Sequence, residues 1–136
     1  MENPPPGQTS KSSTGLDENI AALLSYVFGW ISGLVFFLIE KDSRLVRFHA
    51  MQSIILSGGF IILMIVLGIA STVLGLIFGY ISGLLATLVG LLTWLLMMAV
   101  GVGALVGWVM CLIKAYNKEF FKLPLIGNYA EKFSAK

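Results

Sequence analysis

Hydrophobic and polar positions fall along this chain in long blocks rather than in alternation. After a polar opening, residues 20–39 carry no charge and are mostly apolar. A charged run from Glu40 to Arg47 follows, and residues 50–113 then contain no charged residue at all. Uninterrupted apolar blocks of about 18 residues or more predict membrane-spanning helices. The 20 residues of the first block make about 30 Å of helix, the thickness of a bilayer's hydrocarbon core. The 64 residues of the second block hold two spans with a spare glycine-rich stretch around 75–92, or three spans with almost nothing left for turns.

Two heptapeptides bear on that choice. FGWISGL occupies 28–34 and FGYISGL occupies 78–84. A duplicated half would favour four spans, as in transporters built from internal repeats. The basic residues favour three. Lys and Arg mark the cytoplasmic side. The opening segment has Lys11 alone, the first loop has Lys41, Arg44 and Arg47, and the chain end has Lys114, Lys118, Lys122, Lys132 and Lys136. Loop and end therefore share a side, which requires two crossings between them. The expected architecture is an all-α integral membrane bundle with spans at about 20–39, 50–74 and 90–113. A glycine-rich turn or re-entrant segment precedes the last helix, and four spans is the alternative. The N-terminus is expected outside and the C-terminus in the cytoplasm.

The flanks complete the picture. Residues 1–19, rich in Pro, Ser, Thr and Gly at their start, bury too little to order and are expected to be a disordered tail. Asp17 is a candidate N-cap for the first helix. Lys114, Lys118 and Lys122 form one ridge if the last helix continues, and Pro124 should end it by Leu123. Residues 124–136 mix aromatic and aliphatic positions with Lys, as expected of a segment at headgroup level.

Small residues at four-residue spacing suggest how the helices meet. Ser25–Gly29–Gly33 and Ala99–Gly103–Gly107 are ridges that allow close backbone approach in lipid. Their mutual packing, within a chain or between protomers, is the expectation. In the second heptapeptide, Gly75–Gly79–Gly83 would line the turn at the far face.

Composition agrees with the membrane class: 57% of residues are hydrophobic and 12% charged, with mean hydropathy +0.91, against about 25% charged in soluble domains. Candidate chemistry is sparse. Ionisable residues inside the membrane mark proton relays and ion sites, and the apolar blocks have none. His49 is the single histidine and Cys111 the single cysteine, which excludes an internal disulfide or a Cys-based metal site. Ser53, at His49+4, is the one hydroxyl within helical reach of a base, and no acid orients that histidine. No enzyme activity, cofactor or nucleic-acid partner is expected. Lys41, Arg44, Arg47, His49, Gln52, Lys114, Lys118 and Lys122 are the candidates for contact with lipid headgroups or a partner. The six cations among them are expected to set topology, with anionic lipid as the alternative contact. A homo-oligomer or a membrane protein partner is the other expectation.

The stretches ALLSYVFGWISGLVFFLIEKDSRLVRFHAMQS and IKAYNKEFFKLPLIGNYAEKF resemble a family of small uncharacterised prokaryotic membrane proteins, loosely grouped with the Tic-type import subunit of the chloroplast inner envelope. The likeness rests on Phe28, Gly29, Trp30, Gly33, Glu40, Lys41, Arg47, Phe48, His49, Ala50, Gln52, Ser53, Lys122, Pro124, Gly127, Ala130 and Glu131. It departs at Asn128, where an acidic residue would be expected. The resemblance implies a membrane-embedded helical bundle with no established activity. Its import link offers a pore or translocation element as the alternative to a non-enzymatic scaffold or complex subunit.

Overall fold

A computed structural model describes residues 10–135, and all of the regular elements are helical: α1 (Glu18–Val27), α2 (Trp30–Ile39), α3 (Arg44–Ile81), α4 (Gly83–Tyr116) and α5 (Ile126–Ser134). Two of them, α3 with 38 residues and α4 with 34, are long and apolar enough to cross a membrane. The third expected span is not a single helix. Residues 20–39 break at Phe28–Gly29 into two ten-residue helices, each about 15 Å long.

The break has a local cause. Gly29 sits at φ +60°, ψ −129°, a region open to glycine but costly for side-chain-bearing residues. The chain reverses there. Ser13 N–H and its hydroxyl donate to the Glu40 carboxylate, and the Ser43 hydroxyl bonds Glu18. The start of α1 therefore lies beside the end of α2, and the pair is an antiparallel hairpin. The expected arrangement put the N-terminal segment and the 40–43 loop on opposite membrane faces; here residues 10–18 adjoin that loop.

Of the tail expected to be disordered, residues 1–9 lie outside the described residues. Residues 10–17 form a turn closed by an isolated bridge between Lys11 and Asp17. Asp17 does precede α1, though its side chain makes no capping bond.

Two compact units divide the described residues: 10–59 with 106–135, and 60–105. In the first, Ala21, Ala22 and Tyr26 of α1, Val46 of α3, and Cys111 and Ala115 of α4 form the buried core. Phe36, Trp108, Leu112, Phe121 and Leu123 pack against it. The small residues are what let helices close here. A Cβ on Gly33 would lie 2.8 Å from the Ala50 carbonyl oxygen, and one on Gly29 would lie 3.2 Å from Ser57 Cβ.

The second unit is a helical hairpin. Gly79 faces Ala86 and Gly68 faces Met97, so α4 returns along α3. The reversal takes a single non-helical residue, Ser82, and Tyr80 beside it is 98% exposed. The glycine-rich stretch 75–92, expected as a turn or re-entrant segment, is otherwise helical. A reversal at a left-handed glycine belongs instead to the first heptapeptide, at Gly29. Both copies of the repeat turn a corner, at different positions: Phe28–Gly29 in one and Ser82 in the other.

Helix α4 also stops earlier than expected. It ends at Tyr116, where Lys118 takes a left-handed conformation (φ 59°) and Glu119 N–H reaches back to Lys114 O at 2.9 Å. This is the geometry of a helix C-terminus closed by a left-handed residue. Lys114, Lys118 and Lys122 consequently do not share one helical ridge.

Candidate functional site

The polar residues of the first unit are arranged around three anchors. The first is Glu40, which ends α2 with its side chain fully buried. Its carboxylate accepts from Ser13 N–H at 3.0 Å, the Ser13 hydroxyl at 2.7 Å, Asp42 N–H at 3.0 Å and Ser43 N–H at 2.9 Å. Burial alone would raise its pKa. The N–H groups of Ser43, Ser13 and Asp42 and the Ser13 hydroxyl outweigh that and hold it below the ordinary 4.5. A carboxyl lowered on folding contributes stability that is complete above its ordinary value and is lost as pH falls through the folded value. Thermal stability in detergent should therefore be flat from neutral pH to about pH 5 and decline below it. Glu40→Gln should be less stable at neutral pH and show a shallower acid decline. Matching acid slopes in the two proteins would remove Glu40 from this role.

The second anchor is Arg47. A cation in the first turn of α3 opposes the helix dipole, so another partner must favour it. The guanidinium donates to Glu40 O at 2.8 Å and Phe37 O at 3.2 Å, the carbonyls left open where α2 ends. It also stacks 4.4 Å above the Phe37 ring and reaches Ser134 O at the end of α5. Arg47, expected to meet lipid phosphate, instead ties the ends of two helices to the start of a third.

The third anchor is the stripe His49, Gln52 and Ser53, one face of α3 by i, i+3, i+4 spacing. All three are buried. His49 Nε2 lies 2.8 Å from Glu119 O; a carbonyl only accepts, so Nε2 carries the proton. Nδ1 lies 2.9 Å from the Tyr26 hydroxyl, which donates to it in the neutral tautomer. Gln52 Nε2 donates toward Phe121 O at 3.0 Å, Tyr26 Oη at 3.2 Å and Cys111 Sγ at 3.4 Å, while its carbonyl accepts from Leu123 N–H. Ser53 Oγ donates to Gly29 O at 2.9 Å and makes no pair with His49. The stripe thus holds the segment after α4 on one side and the hairpin tip on the other.

The remaining candidates divide into paired and exposed. Lys114 pairs with Glu119 at 2.7 Å and lies over the Phe121 ring; Lys122 pairs with Glu131. Lys41 and Arg44 are exposed, and Lys118 is half-buried. Gly127 is required where it stands: a Cβ there would lie 2.4 Å from Lys122 Cβ. Within the chain the proposed ridge partners do not meet. Gly29 and Gly33 face α3, a Cβ on Gly103 would meet nothing within 4 Å, and Gly107 faces Leu123.

Tyr26, Trp108 and the Glu40 acceptor site were not among the expected candidates. The sequence EKDS does hold a signal for the last: a carboxylate two and three residues before free N–H groups at a helix start. Nothing local marks Tyr26 or Trp108. Among the described residues no group of three or more His, Cys, Asp or Glu could hold a metal ion, and no buried side-chain N or O lacks a hydrogen-bond partner.

The model of the magnetosome magnetite crystal formation protein family (MamF/MmsF) matches residues 16–130. The chain belongs to that family. It is 42% identical over 126 residues to a UPF0132 membrane protein of Methanocaldococcus jannaschii, covering 91% of this chain and 94% of that protein. It is 41% identical over 117 residues to a UPF0132 membrane protein of Archaeoglobus fulgidus, covering 86% and 95%. These relatives bear out an uncharacterised prokaryotic membrane family; nothing in them supports the Tic likeness. No solved structure matches.

Proposed function

We propose that this protein is a non-enzymatic membrane scaffold or complex subunit, with α3 and α4 crossing the bilayer and the charged end facing the cytoplasm. The observation that carries this reading is the fate of the polar side chains. Tyr26, His49, Gln52 and Ser53 are all engaged in holding chain segments together. A reactive centre keeps a nucleophile, base or ligand set open to a substrate; a scaffold closes them on itself.

The family's description concerns magnetite crystal formation, and a mineral-facing surface on this chain would call for clustered oxygen ligands. Glu40, Glu119 and Glu131 are instead engaged by donors of their own chain, so the scaffold reading does not run through metal binding. Vesicles reconstituted with the purified protein should stay tight to small ions and peptides; flux through them would replace the scaffold with a pore.

Orientation rests on the basic residues. Lys11, Lys41, Arg44, Arg47, Lys114, Lys118, Lys122 and Lys132 all belong to the first unit, and positive charge marks the cytoplasmic side. Single cysteines replacing Lys11, Lys41 and Lys132 in a Cys111→Ser background should all be shielded from a membrane-impermeant reagent in intact cells. Labelling at position 11 alone would restore three spans with the N-terminus outside. Exposed cations near an anionic leaflet contribute about 1 kcal/mol each. Lys41→Gln with Arg44→Gln should therefore reduce the anionic lipid that co-purifies by severalfold, and unchanged retention would assign both residues to topology alone.

A further inference from the structure

We propose that the α1–α2 hairpin is a wedge for one leaflet: it occupies acyl-chain space on the charged side of the membrane, stops short of the midplane, and favours curved bilayers. Three observations lead there.

The first is depth. Each arm has ten residues, about 15 Å, or half of a hydrocarbon core of about 30 Å. The tip is level with Ser57, which a Cβ on Gly29 would touch. Ser57 is thirteen residues past the start of the 38-residue α3. The uncharged block opens at Ala50, seven residues before Ser57, so the tip lies about 10 Å into the apolar segment, short of the midplane of a core about 30 Å thick.

The second is the tip itself. Irregular backbone at membrane depth is tolerated only where its polar groups are satisfied by the protein. The Ser32 hydroxyl accepts from Phe28 N–H at 3.0 Å and lies 3.0 Å from Ser25 O as a donor. Ser53 donates to Gly29 O at 2.9 Å, and Trp108 Nε1 donates to Tyr26 O at 2.9 Å. Side chains from α2, α3 and α4 thus take up the groups freed by the break. A turn built for water would have no need of them.

The third is the surface. Facing outward are Phe28 (75% exposed), Trp30, Ile31, Leu34, Val35 and Leu38 (66%), apolar side chains of the kind that clustered exposure marks for contact with lipid. The other end of the hairpin is polar, at Glu18, Glu40, Asp42 and Ser43. An apolar tip and a polar base match the depth profile of one leaflet. Helix α5 lies on the same side, its last turn held by Arg47, with Leu125, Tyr129 and Phe133 exposed as an interfacial helix presents them. Each hairpin arm, about 10–12 Å across, adds about 80–110 Å² to one leaflet and nothing to the other. Such one-sided area favours membranes curved toward the opposite leaflet.

Depth is tested first. A fluorophore on Phe28→Cys in a Cys111→Ser background, reconstituted in phosphatidylcholine–phosphatidylglycerol vesicles, should be quenched by nitroxides carried on lipid acyl chains. Soluble quenchers on either side should leave it bright. Quenching from the far aqueous side would mean a complete span, and quenching from the near side would mean a hairpin outside the lipid; each overturns the proposal. Curvature is tested in giant vesicles sorted by a protease-accessible tag so that the charged end faces outward. In tethers drawn from them the protein should be enriched about twofold, since amphipathic insertion is curvature-sensitive. Phe28→Ser, Leu34→Ser and Leu38→Ser together, all at exposed positions, should abolish the enrichment while helicity is unchanged. Equal enrichment of both proteins, or none of the wild type, would sink the wedge. The depth measurement decides the case alone if the triple variant misfolds.

Discussion

Replacing Gly33 with leucine is expected to cost about 3 kcal/mol of stability in detergent, the upper end of what overpacking imposes. The reason lies in what surrounds the position. A first side-chain carbon there would sit 2.8 Å from Ala50 O, 3.1 Å from Ile54 Cγ1 and 3.2 Å from Ser53 Cβ. The nearest of these is backbone, which moves only if α2 and α3 separate. Separation would carry the tip away from Ser53 and break the bond to Gly29 O. The helix-propensity gain of leucine over glycine, about 0.8 kcal/mol, offsets only part of this. Gly103→Leu makes the control, because a Cβ there meets nothing within 4 Å; it should fall within about 0.5 kcal/mol of wild type. Thermal or denaturant unfolding of both variants in the same detergent checks the contrast. Equal losses would revive the pairing of the Ser25–Gly33 and Ala99–Gly107 ridges that the spacing suggests.

That contrast also measures what could be read in advance. The membrane class and the helical content were legible because charge is absent over residues 20–39 and 50–113, the pattern that a bilayer's hydrocarbon core selects. The distribution of Lys and Arg calls for two crossings between the 40–47 loop and the chain end, and α3 and α4 are the two helices long and apolar enough to make them. The break at Phe28–Gly29 was not legible. A 20-residue apolar block satisfies the length of a span whether or not it folds back, and glycine is common in spanning helices. What makes the reversal tolerable is the set of donors and acceptors from Ser32, Ser53 and Trp108, the last of them 82 residues from Tyr26 in sequence. No window of the chain contains that information.

The same distinction separates the cations. Arg44 and Arg47 look alike as the first basic residues of α3, each opposed by its dipole. Arg44 is exposed, whereas Arg47 is fixed by the carbonyls of α2 and α5. The anomaly of a cation at a helix start was visible in the sequence; its resolution needed two chain ends that only the fold brings together. The His49 stripe behaves alike. Its i, i+3, i+4 spacing announced one polar face, and its direction, toward the protein and not toward headgroups, was set by the segment that packs over it.

That segment is the subject of the second large effect. Gln52→Leu preserves approximate volume and removes the amide that bridges α3 to residues 121–123. Phe121 O loses its donor, Leu123 N–H its acceptor, and Tyr26 Oη the donor it has in Gln52. Buried groups left unpaired cost about 1–3 kcal/mol each, so a total loss of about 3 kcal/mol is expected even if one group regains water. The loss should be local in its signature. Amide exchange should accelerate through residues 117–125 and leave the hairpin tip slow, whereas Ser53→Ala should do the reverse. His49→Ala, which frees Glu119 O from the same segment, should combine with Gln52→Leu to less than the sum of the two, since residues sharing one network are not additive. Full additivity, with unchanged exchange at Leu123, would mean that Gln52 fills core volume and ties down nothing. A sub-additive pair would establish the stripe as the clasp that holds the end of the chain against α3, and so explain why a membrane protein with so few polar side chains keeps them buried together.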